Sequence, residues 1–365
     1  MSRYEKAAQH IAKTCLNLEP GDHVLICGGI HQFELLQKIA LHARKLGAHP
    51  SVKVSDDETS VRMLTEVAEK YHVEPISEHE EYMARLYNAA IHIDSMQDQS
   101  KMDVVPTELL GKIGIRSQPL RDIKYGCGRR TIAMAWPTEK RAKRAGMTMA
   151  ELEELFWEAV LINLDEMNDL NSWLFEKFDK GCHVHITSKK GTDIKFRIDD
   201  RKVLIDAGHY TKEMVERGEI MKNLPCGEVY TTALEDSPEG VAIFDEVYLR
   251  KGDMVKNLKC RFEKGHLVES SAELNYDVFK SQYEVAQGDR DRIAEFAIGT
   301  NPAVRRLIGD ALFDEKIYGS VHLAIGENRM YGGKADSSIH WDFVILEPTV
   351  TIDGETILEA GKFLR

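Results

Sequence analysis

The sequence predicts an α/β protein with two domains: a parallel-sheet α/β domain over residues 1–180 and a β-rich α+β domain over residues 181–365. In the first half, short apolar segments typical of buried strands alternate with segments of helical periodicity, the order expected of a parallel sheet covered by helices. After Gly181 the apolar residues alternate with a period of two, which indicates half-buried antiparallel strands. A chain of 365 residues also exceeds the usual size of one hydrophobic core.

The amino-terminal elements follow a β-α-β order. Helical spacing predicts a helix over residues 3–16, and Gly28-Gly29 separates a strand over 23–27 from a helix over 31–46. The next elements are a strand over 50–54, a helix over 60–71, strands over 89–93 and 131–138, and a long helical region over 149–178. Two strands joined through a helix require a crossover, so the sheet is predicted to be parallel.

Composition excludes several classes of function. The formal net charge of −12 is the opposite of the basic surface that a nucleic-acid partner requires. No apolar run reaches membrane-spanning length, and the first residues lack a signal-peptide core, so we expect no membrane partner and a cytoplasmic location. The six cysteines contain no C-x-x-C pair, which argues against the common zinc-knuckle spacings and favours reduced thiols.

A candidate site lies near the carboxyl terminus. His322 occupies a predicted strand over residues 319–326, and His340 and Asp342 occupy another over residues 339–346. Residues i and i+2 of a strand project from the same face, so His340 and Asp342 should lie side by side. A carboxylate within an apolar run is costly to bury without a partner or a metal ion.

Two glutamates extend this set. Glu228 lies between a Pro/Gly turn and a β-prone run, and Glu295 lies inside an apolar segment. Three carboxylates and two imidazoles are too acidic for a structural zinc site. They suit two divalent cations that share a bridging carboxylate, because two dications need several anionic ligands to offset their mutual repulsion.

Four motifs resemble a known family: GEVYTTALEDSPEG, AEFAIGTNP, DEKIYGSVHLAIG and HWDF. They are similar to those of the M29 metallo-aminopeptidases, the group of aminopeptidases T and S, and the resemblance covers nearly the whole chain. It implies a carboxy-terminal catalytic domain and a homodimer. It also implies a dinuclear centre of zinc, cobalt or manganese with these ligands: Glu228, Glu295, His322, His340 and Asp342.

The resemblance further implies a hydrolase that releases amino-terminal residues from short peptides with a metal-activated water. Glu228 or Glu295 would carry the proton to the leaving amine. Family members have a tyrosine a few residues after the HLALG motif, where this chain has Arg329. Two candidates therefore remain for that role: Arg329, as a substrate-binding residue, and Tyr331, as the replacement phenol.

Two other functions compete with the peptidase. A sister group of the same fold comprises ring-cleaving dioxygenases of the 2,5-dihydroxypyridine dioxygenase type, with one Fe(II) held by two histidines and a carboxylate. His340 and Asp342 plus another histidine would satisfy that site, but Glu228 and Glu295 would then have no role. A binding module with a degenerate site is the third hypothesis, and the complete set of five ligands argues against it.

Overall fold

The computed structural model describes residues 1–219, 221–249 and 253–365, and of Tyr125 the backbone only. Among these residues the strands are β1 (His23–Gly29), β2 (His49–Ser55), β3 (Ala89–Ile93), β4 (Arg130–Met134), β5 (His183–Thr187), β6 (Asp193–Arg197), β7 (Leu204–Asp206), β8 (Met221–Leu224), β9 (Glu228–Thr231), β10 (Glu239–Val247), β11 (Val255–Glu263), β12 (His266–Ser271), β13 (Ile293–Gly299), β14 (Val321–Gly326), β15 (His340–Ile345), β16 (Thr349–Ile352), β17 (Glu355–Glu359) and β18 (Lys362–Phe363).

The α-helices of the same residues are α1 (Arg3–His10), α2 (Phe33–Lys45), α3 (Asp57–Glu66), α4 (Glu69–His72), α5 (Glu78–Leu86), α6 (Thr107–Arg116), α7 (Gln118–Gly126), α8 (Glu139–Arg144), α9 (Met149–Val160), α10 (Leu164–Lys180), α11 (Lys212–Glu216), α12 (Tyr276–Val285) and α13 (Ala311–Asp314). None of these described helices combines the length and apolar character needed to cross a membrane.

The chain divides into two compact units. The first comprises Met1–Lys143, Met147–Leu161 and Gly208–Pro225. Its described strands form one parallel sheet in the order β2-β1-β3-β4-β8, as the β-α-β pattern predicts. Val24, Ile26 and Ile132 are fully buried there.

The second unit comprises Arg144–Gly146, Ile162–Ala207 and Cys226–Arg365. Its described strands form two antiparallel sheets, which we name the large sheet (β12-β11-β10-β6-β5-β16-β17-β18) and the small sheet (β15-β14-β13-β9-β7). The hydrophobic core lies between them, because phenylalanines of both sheets meet there. The ring centroids of Phe196 and Phe296 are 5.2 Å apart, as are those of Phe244 and Phe343. The predicted fold class is confirmed.

The predicted elements differ from the structure at three helices, one of which, predicted over residues 60–71, is the pair α3 and α4. The single helix predicted over residues 149–178 is two helices, α9 and α10, because the side chain of Asn163 accepts a hydrogen bond from the Asp165 N–H and caps a new helix. The helix predicted over residues 3–16 changes at Ile11 from an α-helix into a π-helical turn.

One segment beyond residue 180 belongs to the first compact unit. Gly208–Pro225 belongs to the first unit because β8 pairs in parallel with β4 and completes the parallel sheet. β8 is short and its partner lies far away in sequence, so local alternation carries no sign of this return. The domain boundary at residue 180 stays a prediction.

Candidate metal centre

One face of the small sheet carries the candidate ligands. In its register Asp342 lies beside Ala324, which lies beside Glu295, while His322 lies beside Ala297. Because successive side chains alternate between faces, these residues share one face, and Leu323, Phe296 and Phe343 point into the core on the other. The alanines leave room for the larger functional side chains beside them.

Glu228 is placed by the glycine that precedes it. Gly227 has a φ of +118°, and a Cβ there would lie 2.8 Å from Sδ of Met167 and 2.9 Å from the backbone nitrogen of Asn301. Its N–H donates to the carbonyl of Asp206 at 2.9 Å. The chain therefore enters β9 at a position that tolerates no side chain, with Glu228 as the first strand residue.

Three of the predicted residues form what we call the first triad: Glu228, Glu295 and His322. One ligand atom from each lies within 4.8 Å of the others. Nε2 of His322 is 3.4 Å from Oε1 of Glu295 and 3.6 Å from Oε2 of Glu228. All three residues are buried.

The second triad consists of Glu295, His340 and Asp342. Nε2 of His340 lies 3.3 Å from Oε2 of Glu295 and 3.3 Å from Oδ1 of Asp342. Glu295 thus directs one oxygen to each histidine and belongs to both triads. This is the arrangement expected of a carboxylate that bridges two cations.

The imidazole of His340 is oriented through its other nitrogen. Nδ1 is 2.7 Å from the carbonyl oxygen of Glu327, so Nδ1–H donates to it and Nε2 is the nitrogen directed to the triad. A metal-binding histidine typically has such a second hydrogen bond. Gly326 allows the close strand pairing here, because a Cβ at its φ of +107° would lie 2.1 Å from the carbonyl oxygen of Ile339.

The site attracts positive charge. Burial lowers the pKa of both histidines, but the hydrogen bond to Glu295 and nearby carboxylates outweigh it for His322 and raise its pKa to about 9. For His340, burial is outweighed by the charge of Asp342, and its pKa rises well above the ordinary value. Without metal ions, both imidazoles would bind protons at neutral pH.

The carboxylates respond in different directions. Burial raises the pKa of Glu228 to about 7, with Lys316 and His322 opposing this effect. Burial also acts to raise the pKa of Glu295, but hydrogen bonds from His322 and His340 hold it below the ordinary value. The pKa of Asp342 is likewise held low, because His340 outweighs burial there.

These groups fit metal ions by two observations of the structure. Within the described residues, Oε2 of Glu228 is buried, makes no hydrogen bond and faces the triad. Carboxylate and imidazole donors in this proportion suit divalent cations such as zinc, cobalt or manganese. The assignment of these five residues as ligands stays a prediction.

We expect metal binding to release protons. A histidine must be neutral and a carboxyl ionised to bind a cation, so each triad should release about one proton from its histidine at pH 7, and the first triad a further fraction of one from Glu228. Calorimetric titration in buffers of different ionisation enthalpy measures this release, and heats that do not depend on the buffer would contradict it.

Protonated His322 also stabilises the metal-free fold below about pH 6.5, and this contribution is lost as the pH rises through about 9.

The two candidates for the family tyrosine lie in different surroundings. The ring of Tyr331 packs edge-on against the rings of His340 and Tyr230, with centroids 5.4 Å apart in both cases. Arg329 is directed elsewhere: its guanidinium pairs with the carboxylates of Glu327 and Asp336, each at 2.9 Å, on the surface. The structure thus brings Tyr331, and not Arg329, to the triads.

Sequence reasoning missed the charged residues behind Glu228. Nζ of Lys316 is fully buried and donates to Oε1 of Glu228 at 2.6 Å and to Oε2 of Glu315 at 3.0 Å. Oδ2 of Asp206 lies 3.4 Å from the same ammonium. In sequence, Asp314-Glu315-Lys316 is typical of a solvated surface turn, and only its place at the start of the DEKIYGSVHLAIG motif could have suggested otherwise.

Comparison with known proteins identifies the family. Residues 1–363 match the family described as thermophilic metalloprotease (M29). The chain belongs to this family. The predicted family is therefore confirmed, and so is the predicted class of enzyme, a hydrolase of the metallopeptidase type.

Relatives of the M29 chain support the same family. Aminopeptidase AmpS of Bacillus subtilis is 25% identical, with 96% of this chain and 93% of the relative covered. Aminopeptidase T of Thermus aquaticus is 24% identical, with 98% and 95% covered.

Two solved structures share the fold. AmpT from Thermus thermophilus superposes with a TM-score of 0.80 at 22% identity, covering 100% of this chain and 99% of that one. The 2,5-dihydroxypyridine dioxygenase from Pseudomonas putida superposes with a TM-score of 0.64 at 14% identity, covering 100% and 98%. At these identities the likeness concerns the fold alone.

Proposed function

We propose that this M29 chain is an aminopeptidase that releases amino-terminal residues from short peptides with two divalent cations. The proposal rests on the position of Glu295, which belongs to both triads and directs one carboxylate oxygen to each. A single cation would use one triad and leave the two remaining residues of the other without a role. The relatives named above are all called aminopeptidases, which supports cleavage at the amino terminus of the peptide.

The site's groups suit a peptide amino terminus. The acidic groups here are the carboxylates of Glu228, Glu295 and Asp342, with Glu315 and Asp206 behind them. Two bound cations and the Lys316 ammonium would balance these five carboxylates, so the free amino group would be held by the second cation or by one carboxylate and not by an excess of negative charge. This preference for a free amine would make the enzyme an exopeptidase.

The chain's residues divide the chemical work between them. The five ligands would hold two cations, which supply Lewis acidity at the scissile carbonyl and lower the pKa of a water. Glu228 or Glu295 would take the proton on a carboxylate oxygen that its cation has released, and would pass it to the leaving amine. The Tyr331 hydroxyl donates a hydrogen bond to the oxygen that becomes negatively charged.

A metal and substrate analysis tests the proposal. Protein purified without chelator should contain about two cations per subunit and cleave the first bond of dipeptides and tripeptides under anaerobic conditions. Dialysis against chelator should abolish cleavage, and zinc, cobalt or manganese should restore it. Amino-terminally acetylated peptides are the matched control and should remain intact.

The same experiment separates the peptidase from the dioxygenase. A ring-cleaving dioxygenase would hold one iron, open 2,5-dihydroxypyridine only with Fe(II) and oxygen, and cleave no peptide. The two triads do not favour it, since each holds one histidine and a site of two histidines and one carboxylate would have to draw on both. Protein with two cations that cleaves no member of a broad peptide panel would refute the peptidase.

We also propose a cytoplasmic homodimer. The family resemblance and the general frequency of twofold homo-oligomers support the dimer, and the dispersed cysteines support a reducing compartment. Light scattering that gives a monomer mass at all working concentrations would refute the dimer. Cell fractionation measures the location.

A further inference from the structure

We propose that Lys316 is a positioning residue of the metal centre. Its ammonium holds Oε1 of Glu228, so that Glu228 presents Oε2 alone to the first triad and binds its cation through one oxygen. This inference rests on the proposed dinuclear function and concerns how one of its ligands is oriented.

The two oxygens of Glu228 have different surroundings. Oε1 accepts a hydrogen bond from Nζ of Lys316 at 2.6 Å. Oε2 makes no hydrogen bond within the described part of the chain and lies 3.6 Å from Nε2 of His322. A charge-assisted hydrogen bond of this length fixes the carboxylate plane, and with it the direction of the remaining oxygen.

Lys316 is itself held in place. An ammonium has three donors, and three carboxylates surround this one: Glu228, Glu315 at 3.0 Å and Asp206 at 3.4 Å. The backbone is fixed as well, because the Lys316 carbonyl accepts from the Asn301 N–H at 3.2 Å. A fully buried lysine with this arrangement cannot swing to another partner without leaving a buried charge uncompensated.

The effect should be confined to the first triad. Among the described residues, Glu295 and Asp342 form ion pairs with the imidazoles of His322 and His340 and with no lysine or arginine. The second triad therefore keeps its geometry when Lys316 is changed. The two cations should respond unequally.

A positioning role and a purely electrostatic role of Lys316 predict opposite changes in metal affinity when Lys316 is removed. If Lys316 acted only as a positive charge, its removal would lower the repulsion on a nearby cation and tighten metal binding. If it orients Glu228, its removal lets the carboxylate rotate, and metal binding weakens. Loss of a hydrogen-bonding partner of a metal ligand typically reduces metal affinity by about 10- to 100-fold.

Cobalt titration of Lys316→Met tests the inference. The matched control is Lys222→Met, since Lys222 is also buried and pairs with a carboxylate, Glu219, at 2.8 Å. In Lys316→Met we expect one cobalt to bind as in the wild type and the other about 10- to 100-fold more weakly. The visible spectrum of the weaker cobalt should change, because Glu228 is no longer held in one orientation and the geometry of the ligands around that cobalt differs. Lys222→Met should bind both as the wild type does.

Three results would overturn the inference. The affinity of Lys316→Met for the second cobalt could be unchanged, or it could be higher than in the wild type. Lys222→Met could also lose as much affinity for the second cobalt, which would show a general cost of losing a buried lysine. If Lys316→Met does not fold, Lys316→Gln takes its place. Its amide keeps a donor for Oε1 without the charge, and we expect roughly a three- to tenfold weaker second step, a reduction below the usual loss for such a partner. An unchanged or tighter step in Lys316→Gln would equally overturn the inference.

The outcome is separable from that of the proposed function. Wild-type protein that binds two cobalt ions, cleaves no peptide and loses the second ion in Lys316→Met would refute the peptidase and support the role of Lys316. Wild-type protein that cleaves peptides, together with unaltered binding of the second cobalt in Lys316→Met, would support the peptidase and refute the role of Lys316. Wild-type protein that binds fewer than two ions would refute both.

Discussion

Glu295→Gln is expected to abolish peptide hydrolysis while the fold remains intact. Glu295 directs Oε1 to His322 and Oε2 to His340, so it is the residue that both triads share. A neutral amide offers one oxygen and no negative charge, and it cannot hold two cations together. The amide has nearly the same volume as the acid, so the surrounding packing should survive.

The metal content distinguishes this loss from misfolding. We expect about two cations per subunit in the wild type and at most one in Glu295→Gln, with unchanged circular dichroism. Glu219→Gln is the matched control, because Glu219 is also a buried glutamate and contacts no residue of either triad in the described structure. If Glu295→Gln retained both cations and its activity, the shared-ligand assignment would be wrong.

Tyr331→Phe is expected to lower kcat by about 10²- to 10³-fold, the usual cost of removing one hydrogen-bond donor to a developing oxyanion. Burial and then the charges of Glu295 and Asp342 raise the pKa of Tyr331 well above its ordinary value, so the phenol keeps its proton at neutral pH. The ring remains in the variant and can still pack against His340. KM and the metal content should therefore change little.

Two comparison variants locate the effect. Tyr230→Phe removes the phenol of the ring that packs on Tyr331 and should cost less than tenfold in kcat. Arg329→Ala removes the other candidate, whose guanidinium pairs with Glu327 and Asp336, and should leave kcat nearly unchanged. A large loss in Arg329→Ala with full activity in Tyr331→Phe would reverse the assignment.

Part of the candidate site was predictable from local pattern. His340 and Asp342 share a face because the strand period is two, and a carboxylate in an apolar run demands a cationic partner. Glu295 is likewise a carboxylate in an apolar run, so it too was predicted to have a cationic partner. For Glu228, a Pro/Gly turn before a β-prone run marked the start of a strand.

Other features of the site depend on residues that are distant in sequence. The choice between Arg329 and Tyr331 required the path of the loop, which turns one side chain to the surface and the other to His340. Lys316 lies in a charged run that resembles a solvated turn, and its burial follows from packing against β7 and β9 residues. Local sequence carries no sign of the first outcome, and for Lys316 the DEKIYGSVHLAIG motif was its one sign.

The sequence by itself determined the parallel and antiparallel halves, the family, and the residue types that could bind two cations, because periodicity and motif are local properties of the chain. The tertiary structure decided which of those residues meet. Strand pairing brings β13 between β9 and β14, so Glu295 reaches both histidines, and it returns β8 to the parallel sheet. Register is set by pairing between distant segments, where a shift of one residue would turn every ligand to the opposite face.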